Sequence, residues 1–201
     1  MRVTEHEQRT EGWFQARLGK PSASSFHKLI TPTGKPAASA DSYINDLIAE
    51  RITGRQASVF VSDAMQRGTD LEPLAVEVYE LIHDCKVFDI GFCLHDEIEA
   101  GASPDGLVGD VGLLEIKCPL GNTMVSYLRA GNVLPSKYIP QVQGQLWITG
   151  REWCDFMAYH PDMTVLLVRV ERDQEYIDKL ESEVIKACET IQKSTKDFMA
   201  A

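Results

Sequence analysis

Two short stretches carry the side chains best suited to chemistry: Ser103-Pro104-Asp105-Gly106, then Gly112-Leu113-Leu114-Glu115-Ile116-Lys117-Cys118-Pro119. The pattern predicts two short strands joined by a turn, with Asp105 closing the first strand and Gly106 turning the chain. Side chains alternate faces along a strand. Glu115 and Lys117 therefore share one face, and Leu114, Ile116 and Cys118 take the other. A buried strand has little structural use for a Glu/Lys pair beside an Asp turn. As chemistry the set is coherent. Asp105 and Glu115 are hard oxygen ligands suited to holding Mg²⁺ on a rigid sheet, and Lys117 lies near enough to touch a water on that metal. The blander alternative is an ordinary hairpin with a surface ion pair.

The elements that must position these residues follow from periodicity. Residues 5 to 17 read as a helix ended by Gly19 and Pro21, and Ser22-Ala23-Ser24-Ser25 offers N-caps for a second helix from Ser24 to Ile30. A helix start with serine hydroxyls and Arg17 just upstream suits a phosphate. Capping alone is the simpler account of an isolated Ser-x-Ser. Thr31-Pro32-Thr33-Gly34-Lys35-Pro36 is a loop with one cation. Residues 40 to 53 form an amphipathic helix capped by Gly54, with Tyr43, Ile44, Leu47 and Ile48 inward. Residues 62 to 84 form a long helix whose apolar positions are Leu71, Leu74, Ala75, Val78, Leu81 and Ile82. Pro73 should kink or restart it, and Gly68 and Glu72 share a face. Lys86 to Leu94 reads as one strand, 121 to 130 as a short helix, and 136 to 149 as another with Tyr138, Gln141 and Gln145 on one face. Residues 152 to 159 and 163 to 170 are two strands around the turn His160-Pro161-Asp162, and 173 to 199 is the last helix. This order gives an α/β fold with a mixed central β-sheet flanked by helices, in one domain over residues 1–201.

Composition narrows the class. Apolar residues make up 44% and charged residues 25%, as in a globular protein with a real core. No apolar run approaches the ~20 residues of a bilayer span, and the first residues have no apolar signal region. Five scattered cysteines without Cys-x-x-Cys suit a reducing cytoplasm and argue against a disulfide framework or an iron–sulfur cluster. His83-x-Cys85 and Cys93-x-His95 have the wrong spacing for zinc, so core cysteines and surface histidines are expected. The net charge of −10 is awkward for a nucleic-acid protein, because phosphate contacts supply most of such affinity. Distribution matters more. Residues 12 to 40 and 116 to 151 contain no Asp or Glu. The first stretch holds Arg17, Lys20, Lys28 and Lys35, the second Lys117, Arg129, Lys137 and Arg151.

The motif Pro-Asp, then Glu-x-Lys, resembles that of the Pro-Asp…(Asp/Glu)-x-Lys nuclease superfamily. A longer series is more specific: Trp13, Arg17-Leu18-Gly19, Ala23-Ser24, Gly68-x-x-x-Glu72, Ser103-Pro104-Asp105-Gly106, Glu115-Ile116-Lys117-Cys118-Pro119, Gln141-Val142-Gln143 and Trp147. From about residue 10 to residue 170 it resembles the viral recombinase exonucleases, the family of phage lambda exonuclease and the YqaJ-like recombinases. The resemblance implies a restriction-endonuclease-like core. It implies a Mg²⁺-dependent 5′-to-3′ exonuclease on double-stranded DNA ends, releasing 5′-mononucleotides and leaving a 3′ single-stranded overhang. It further implies a homotrimer ring working beside a single-strand annealing protein in phage or prophage recombination, in the bacterial cytoplasm and away from membranes. A restriction-type endonuclease or junction resolvase on the same core is the alternative.

By the same resemblance, Asp105, Glu115 and the Ile116 backbone carbonyl match metal ligands, and Glu72 matches the acid serving the second of two Mg²⁺ ions or its water. Mn²⁺ is a possible substitute. Lys117 matches the lysine near the attacking water. Arg17 and Ser24 match the residues that hold the 5′-phosphate. Gln141 and Tyr138 border the site. Where the lambda enzyme has an arginine in the next loop, Lys35 is the nearest cation here, a point charge and not a planar fork.

Overall fold

The computed structural model describes residues 1–56 and 62–200. Its frame is a five-stranded sheet in the order β2-β5-β6-β7-β8, formed by Val87–Phe88, Gly106–Val108, Gly112–Lys117, Trp153–Ala158 and Leu166–Glu171. β6 and β7 run parallel, and the other pairs are antiparallel. A second small sheet joins β1 (Arg2–Val3), β3 (Cys93–Leu94) and β4 (Gly101–Ala102).

The helices are α1 (Glu11–Arg17), α2 (Ala40–Thr53), α3 (Asp63–His83), α4 (Gly121–Ala130), α5 (Ile139–Thr149) and α6 (Gln174–Met199), with 3₁₀ turns at Ala23–Lys28 and Ser136–Tyr138. One face of the sheet packs on α3 through Ala75, Tyr79, Leu114, Ile116 and Met157. The other packs on α4 and α5 through Leu113, Met124, Val142, Leu146 and Phe156. α5 is covered again on its far side by the first 3₁₀ turn, α2 and α6. It is therefore buried from Pro140 to Ile148, three glutamines included. Contact with the 3₁₀ turn is close: a Cβ on Gly144 would lie 2.4 Å from the Phe26 ring, so only glycine fits.

The mixed sheet and flanking helices match the expectation from the sequence, and α2, α4 and α6 fall within a residue of their predicted bounds. Gly54 caps α2 in the left-handed region at φ +67°. Elsewhere the structure corrects the reading. Gly106 opens β5, and the hairpin turns instead at Gly109, φ +53°. Residues 86–94 split into β2 and β3, which belong to different sheets. α3 does not restart at Pro73 but runs through it as one helix. Its buried residues are Ala75 and Tyr79, while Leu74, Ile82 and above all Leu81, 83% exposed, face outward. The first helix is confined to residues 11–17, capped by the Thr10 hydroxyl. The serines begin a six-residue 3₁₀ turn without a side-chain cap bond, which removes the helix-dipole argument for a phosphate there.

Candidate active site

The β5–β6 hairpin carries the site. Asp105 precedes β5, and its Oδ2 accepts the Ile116 N–H at 2.6 Å. Its own N–H donates to the Leu114 carbonyl at 3.1 Å. The carboxylate is thereby fixed to the neighbouring strand. Glu115, 1% exposed, points from the central strand toward α5. Three donors surround it. Gln141 Nε2 and Lys117 Nζ donate to Oε1, the former at 2.6 Å, and Gln145 Nε2 donates to Oε2 at 2.6 Å. Leu114 and Ile116 enter the α3 core, as alternation requires.

Glu72 comes from α3, one turn before Ala75, and Arg9 Nη2 lies 2.5 Å from its Oε2. Glu72 separates two cavities. One, about 600 Å³, is lined by Gln8, Arg9, Glu72, Asp89 and Asp105 among others. The other, about 570 Å³, is lined by Glu72, Ile116, Lys117, Tyr127, Lys137 and Tyr138 among others. In the second, the ammonium groups of Lys117 and Lys137 lie 5.5 and 4.8 Å from the Tyr138 ring centre.

Electrostatics tie the acids together. Burial raises the Asp105 carboxyl well above the ordinary range, and Glu115 and Glu72 raise it further, against the pull of Lys117. Burial alone would lower the Lys117 ammonium, but Glu115 and Asp105 hold it above its ordinary value. Negative charge from Glu115 and Glu72 bearing on a buried Asp105 is what a divalent cation relieves, and an all-oxygen set suits Mg²⁺ or Mn²⁺. The residues thus fit the expected ions. The charge is met here by Lys117, the two glutamines and Arg9. Among the described residues no group of three or more Asp, Glu, His or Cys side chains closes into a ready cage. The Ile116 N–H is engaged with Asp105, and the residue lines the Lys117 cavity.

A second constellation lies next to the first. Arg17 Nη2 donates to Ser22 Oγ at 3.2 Å and Ser24 Oγ at 3.3 Å, and its guanidinium stacks on Trp13, 4.0 Å from the ring centre. Burial pulls the Arg17 pKa below its ordinary value, with Tyr43 and Glu50 opposing. Trp13 Nε1 donates to Ser103 Oγ at 3.0 Å, two residues before Asp105. The arginine pocket and the carboxylates are therefore joined through one tryptophan.

The structure thus brings Asp105, Glu115, Ile116, Lys117, Glu72, Gln141 and Tyr138 together, and separately Arg17 with Ser24. It does not bring Lys35 to either group. Its loop is tied to α6, where Tyr176 Oη donates to the Thr31 carbonyl at 3.0 Å, and the Lys35 side chain is exposed. The Thr31–Lys35 backbone and hydroxyl bonds close the loop on itself, which removes the residue from the pocket. Gln145, Ser22 and Arg9 are site residues that the motifs do not single out. Gln145 lies outside the motifs but on the helical face that spacing assigns it with Tyr138 and Gln141, and it donates to Glu115. Arg9 depends on a long-range contact that leaves no local signal.

Residues 12–152 match the model of the YqaJ-like viral recombinase domain. The chain belongs to that family. Among solved structures it is similar to an alkaline exonuclease from Laribacter hongkongensis, with 39% identity, 95% of this chain and 97% of that one covered, and a TM-score of 0.86. The same enzyme in complex with dAMP gives 40% identity over 94% and 96% of the chains, with a TM-score of 0.85. A phage-related exonuclease from Haemophilus somnus 129PT shares the fold at 19% identity, 89% and 96% coverage, and a TM-score of 0.66. No curated protein matches the sequence significantly. Among the described residues no helix is long and apolar enough to cross a membrane.

Proposed function

We propose that the protein is a divalent-metal-dependent exonuclease that degrades double-stranded DNA from its 5′ ends. One observation carries the reading: the Trp13–Ser103 hydrogen bond couples a guanidinium–hydroxyl pocket to the strand hairpin bearing the buried carboxylates. An end-directed nuclease needs both parts at a fixed spacing, and an internal cutter needs only the second. Membership of the YqaJ-like family and the likeness to an alkaline exonuclease support the same class. The relative's complex with dAMP holds a nucleoside monophosphate, the class of product that stepwise cleavage yields.

In this reading Arg17, Ser22 and Ser24 take the terminal 5′-phosphate, and the next phosphodiester falls at the carboxylates. Asp105, Glu115 and the Ile116 carbonyl would hold one Mg²⁺ and Glu72 would serve a second, with Mn²⁺ able to replace either. When bound, the ions stabilise charge on the attacking and leaving oxygens. Gln141 and Gln145 fix the Glu115 carboxylate in one orientation, so no reorganisation is needed as charge develops. Lys117 faces the same point and counters charge on the phosphoryl oxygens or orients the water. Water adds to phosphorus and the P–O3′ bond breaks. The attacking water gives up a proton, the departing 3′ oxygen takes one up from solvent, and the next nucleotide is left with a new 5′-phosphate. The family's further features are carried over on resemblance: a homotrimer ring, an annealing protein acting on the 3′ overhang, and a phage or prophage origin in a bacterial cytoplasm.

The test is digestion of a linear duplex labelled at its 5′ or 3′ end, with a closed circular duplex beside it, in Mg²⁺ and in chelator. Early release of the 5′ label as mononucleotide, an intact circle and no cleavage in chelator are expected. Cutting of the circle would reassign the protein to the endonucleases of this core.

A further inference from the structure

Arg9 has a position that the reaction above does not use. Its backbone lies in the left-handed region, φ +69°, which residues other than glycine hold only where their surroundings dictate it. The surroundings are visible. The Thr10 hydroxyl donates to the Glu7 carbonyl at 2.6 Å and also caps α1, closing a tight turn on either side of Arg9. Within that turn, Gln8 Nε2 donates to the carbonyls of Ile90 at 3.0 Å and Pro104 at 2.8 Å. Pro104 directly precedes Asp105. The turn is thus fastened to the backbone that presents the first carboxylate, and Arg9 projects from it over the cavity that Asp105 and Glu72 both line.

There the guanidinium meets Glu72, the acid that adds to the raised proton affinity of Asp105. The Arg9 side chain is 46% exposed and Glu72 24%. Among the described residues Arg9 makes no other side-chain hydrogen bond, so most of its five N–H donors still face the cavity and solvent. A guanidinium on a carboxylate oxygen competes with a cation for it, and only one Glu72 oxygen is so engaged.

Resting on the metal-dependent reading above, we infer that Arg9 is an exchangeable counter-ion. It occupies Glu72 in the DNA-free protein, yields it when a divalent cation binds, and transfers its fork to a backbone phosphate of the bound DNA. Cation and substrate then enter together: the ion releases the arginine, and the phosphate receives it. An arginine suits the exchange because its planar fork fits carboxylate and phosphate alike.

The test compares wild type, Arg9→Lys and Arg9→Ala in two assays, neither of which reads turnover. The first is Mn²⁺ binding to the DNA-free protein, followed by the loss of the free-ion electron paramagnetic resonance signal. Arg9→Ala should bind Mn²⁺ several-fold more tightly than wild type, because no guanidinium competes, with Arg9→Lys between them. The second is binding of a 5′-phosphorylated duplex in Ca²⁺, followed by anisotropy across a salt series. Arg9→Ala should bind several-fold more weakly, and its slope of log affinity against log salt should be smaller by about one. Opposite movement of the two affinities is the signature. A purely structural role would weaken both, and an idle surface ion pair would leave both unchanged; either result overturns the exchange. Wild-type protein that takes up no Mn²⁺ would overturn the metal reading itself, a failure separate from loss of the Arg9 effect alone.

Discussion

Arg17 offers the sharpest quantitative test of end recognition. Its guanidinium is half-buried, stacked on Trp13, and hydrogen-bonded to two neutral hydroxyls at 3.2 and 3.3 Å. Burial already works against the charge. Long bonds to neutral oxygens and the charge of Glu50 leave burial the larger effect, and on the proposed reading a terminal phosphate would add further counter-charge. A charge-assisted hydrogen bond contributes about 1.5–3 kcal/mol. If it is realised in the transition state, Arg17→Ala should lower kcat/KM on a 5′-phosphorylated duplex roughly ten- to a hundred-fold. On a 5′-hydroxyl duplex the loss should be much smaller, because the phosphate that Arg17 is proposed to bind is absent. Arg17→Lys should fall between, keeping the charge and losing the fork. Stability should change little. The lost stacking, about 0.5–2 kcal/mol, is offset by release of a charge that burial disfavours. The assay is initial rate on matched duplexes differing only at the 5′ end, with a thermal melt of each variant. Equal parental rates on both ends would refute the pocket. An equal slowing of both ends in Arg17→Ala would refute the phosphate role and leave a packing one.

Other outcomes are equally definite. Asp105→Ala and Glu115→Gln should each reduce cleavage by at least about a thousandfold, ~4 kcal/mol of transition-state stabilisation, with circular dichroism unchanged. Substantial activity of either at ordinary Mg²⁺ would sink the metal assignment. Gln145→Leu removes one of the donors on Glu115 and should raise the Mg²⁺ concentration for half-maximal cleavage several-fold; an unchanged titration would show that Gln141 and Lys117 suffice. Away from the site, Arg169 forks onto Asp155 at 2.9 and 2.8 Å, and the Tyr79 hydroxyl adds a bond at 2.7 Å. Burial raises the Asp155 carboxyl, but these partners outweigh it and hold it below its ordinary value. The native state therefore binds the proton less readily than the unfolded chain. The contribution is full above the unfolded pKa, about 4, and is lost as pH falls through the native value. Arg169→Met should be destabilised by ~1–3 kcal/mol in urea at pH 7, an estimate reduced for the half-exposed arginine, and should converge with wild type in acid.

The parts of the site legible in the sequence are those set by local spacing. The Glu115/Lys117 face follows from strand alternation, and the face of Tyr138, Gln141 and Gln145 from helical spacing; both survive in the structure. The errors lie where tertiary context chooses between locally equal options. On α3, an apolar face through Leu74, Leu81 and Ile82 is as periodic as the true one through Ala75 and Tyr79. Only the packing of the sheet selects the latter. Lys86 to Leu94 has strand composition throughout, but Ile90 and Gly91 lie between two sheets, and Gly91 passes within 2.3 Å, for an added Cβ, of the Thr4 carbonyl. In sequence the glutamines of α5 suit a surface position or a hydrogen-bonding role equally. They are interior because α5 is covered on both sides.

That burial of α5 also resolves the charge. A net charge of −10 sits poorly with a DNA enzyme, yet all 30 acidic residues lie outside residues 12–40 and 116–151. The fold packs these two stretches directly on each other. Gly144 of the second admits the Phe26 ring of the first, and Phe26 and Trp147 lie 6.2 Å apart. The first stretch brings the Arg17 pocket, and the second brings Lys117, Lys137 and the glutamines that hold Glu115. Trp13 of the first then bonds Ser103 beside Asp105. An anion at this junction meets cations and amides from both stretches, and the acids beside it are Asp105, Glu115 and Glu72, the proposed metal ligands. Favourable phosphate contacts are local, screened beyond about 10 Å at ordinary ionic strength, so a distant acidic surplus detracts little from them. It acts instead on approach, slowing the encounter with DNA at low salt more than it weakens the bound state. Raising salt should therefore weaken DNA binding through the local contacts while relieving the long-range repulsion. The association rate should fall less steeply with salt than the equilibrium affinity. Stopped-flow anisotropy across a salt series in Ca²⁺ measures both. An association rate that carries the whole salt dependence would place the acidic surplus away from the DNA's path and refute this division.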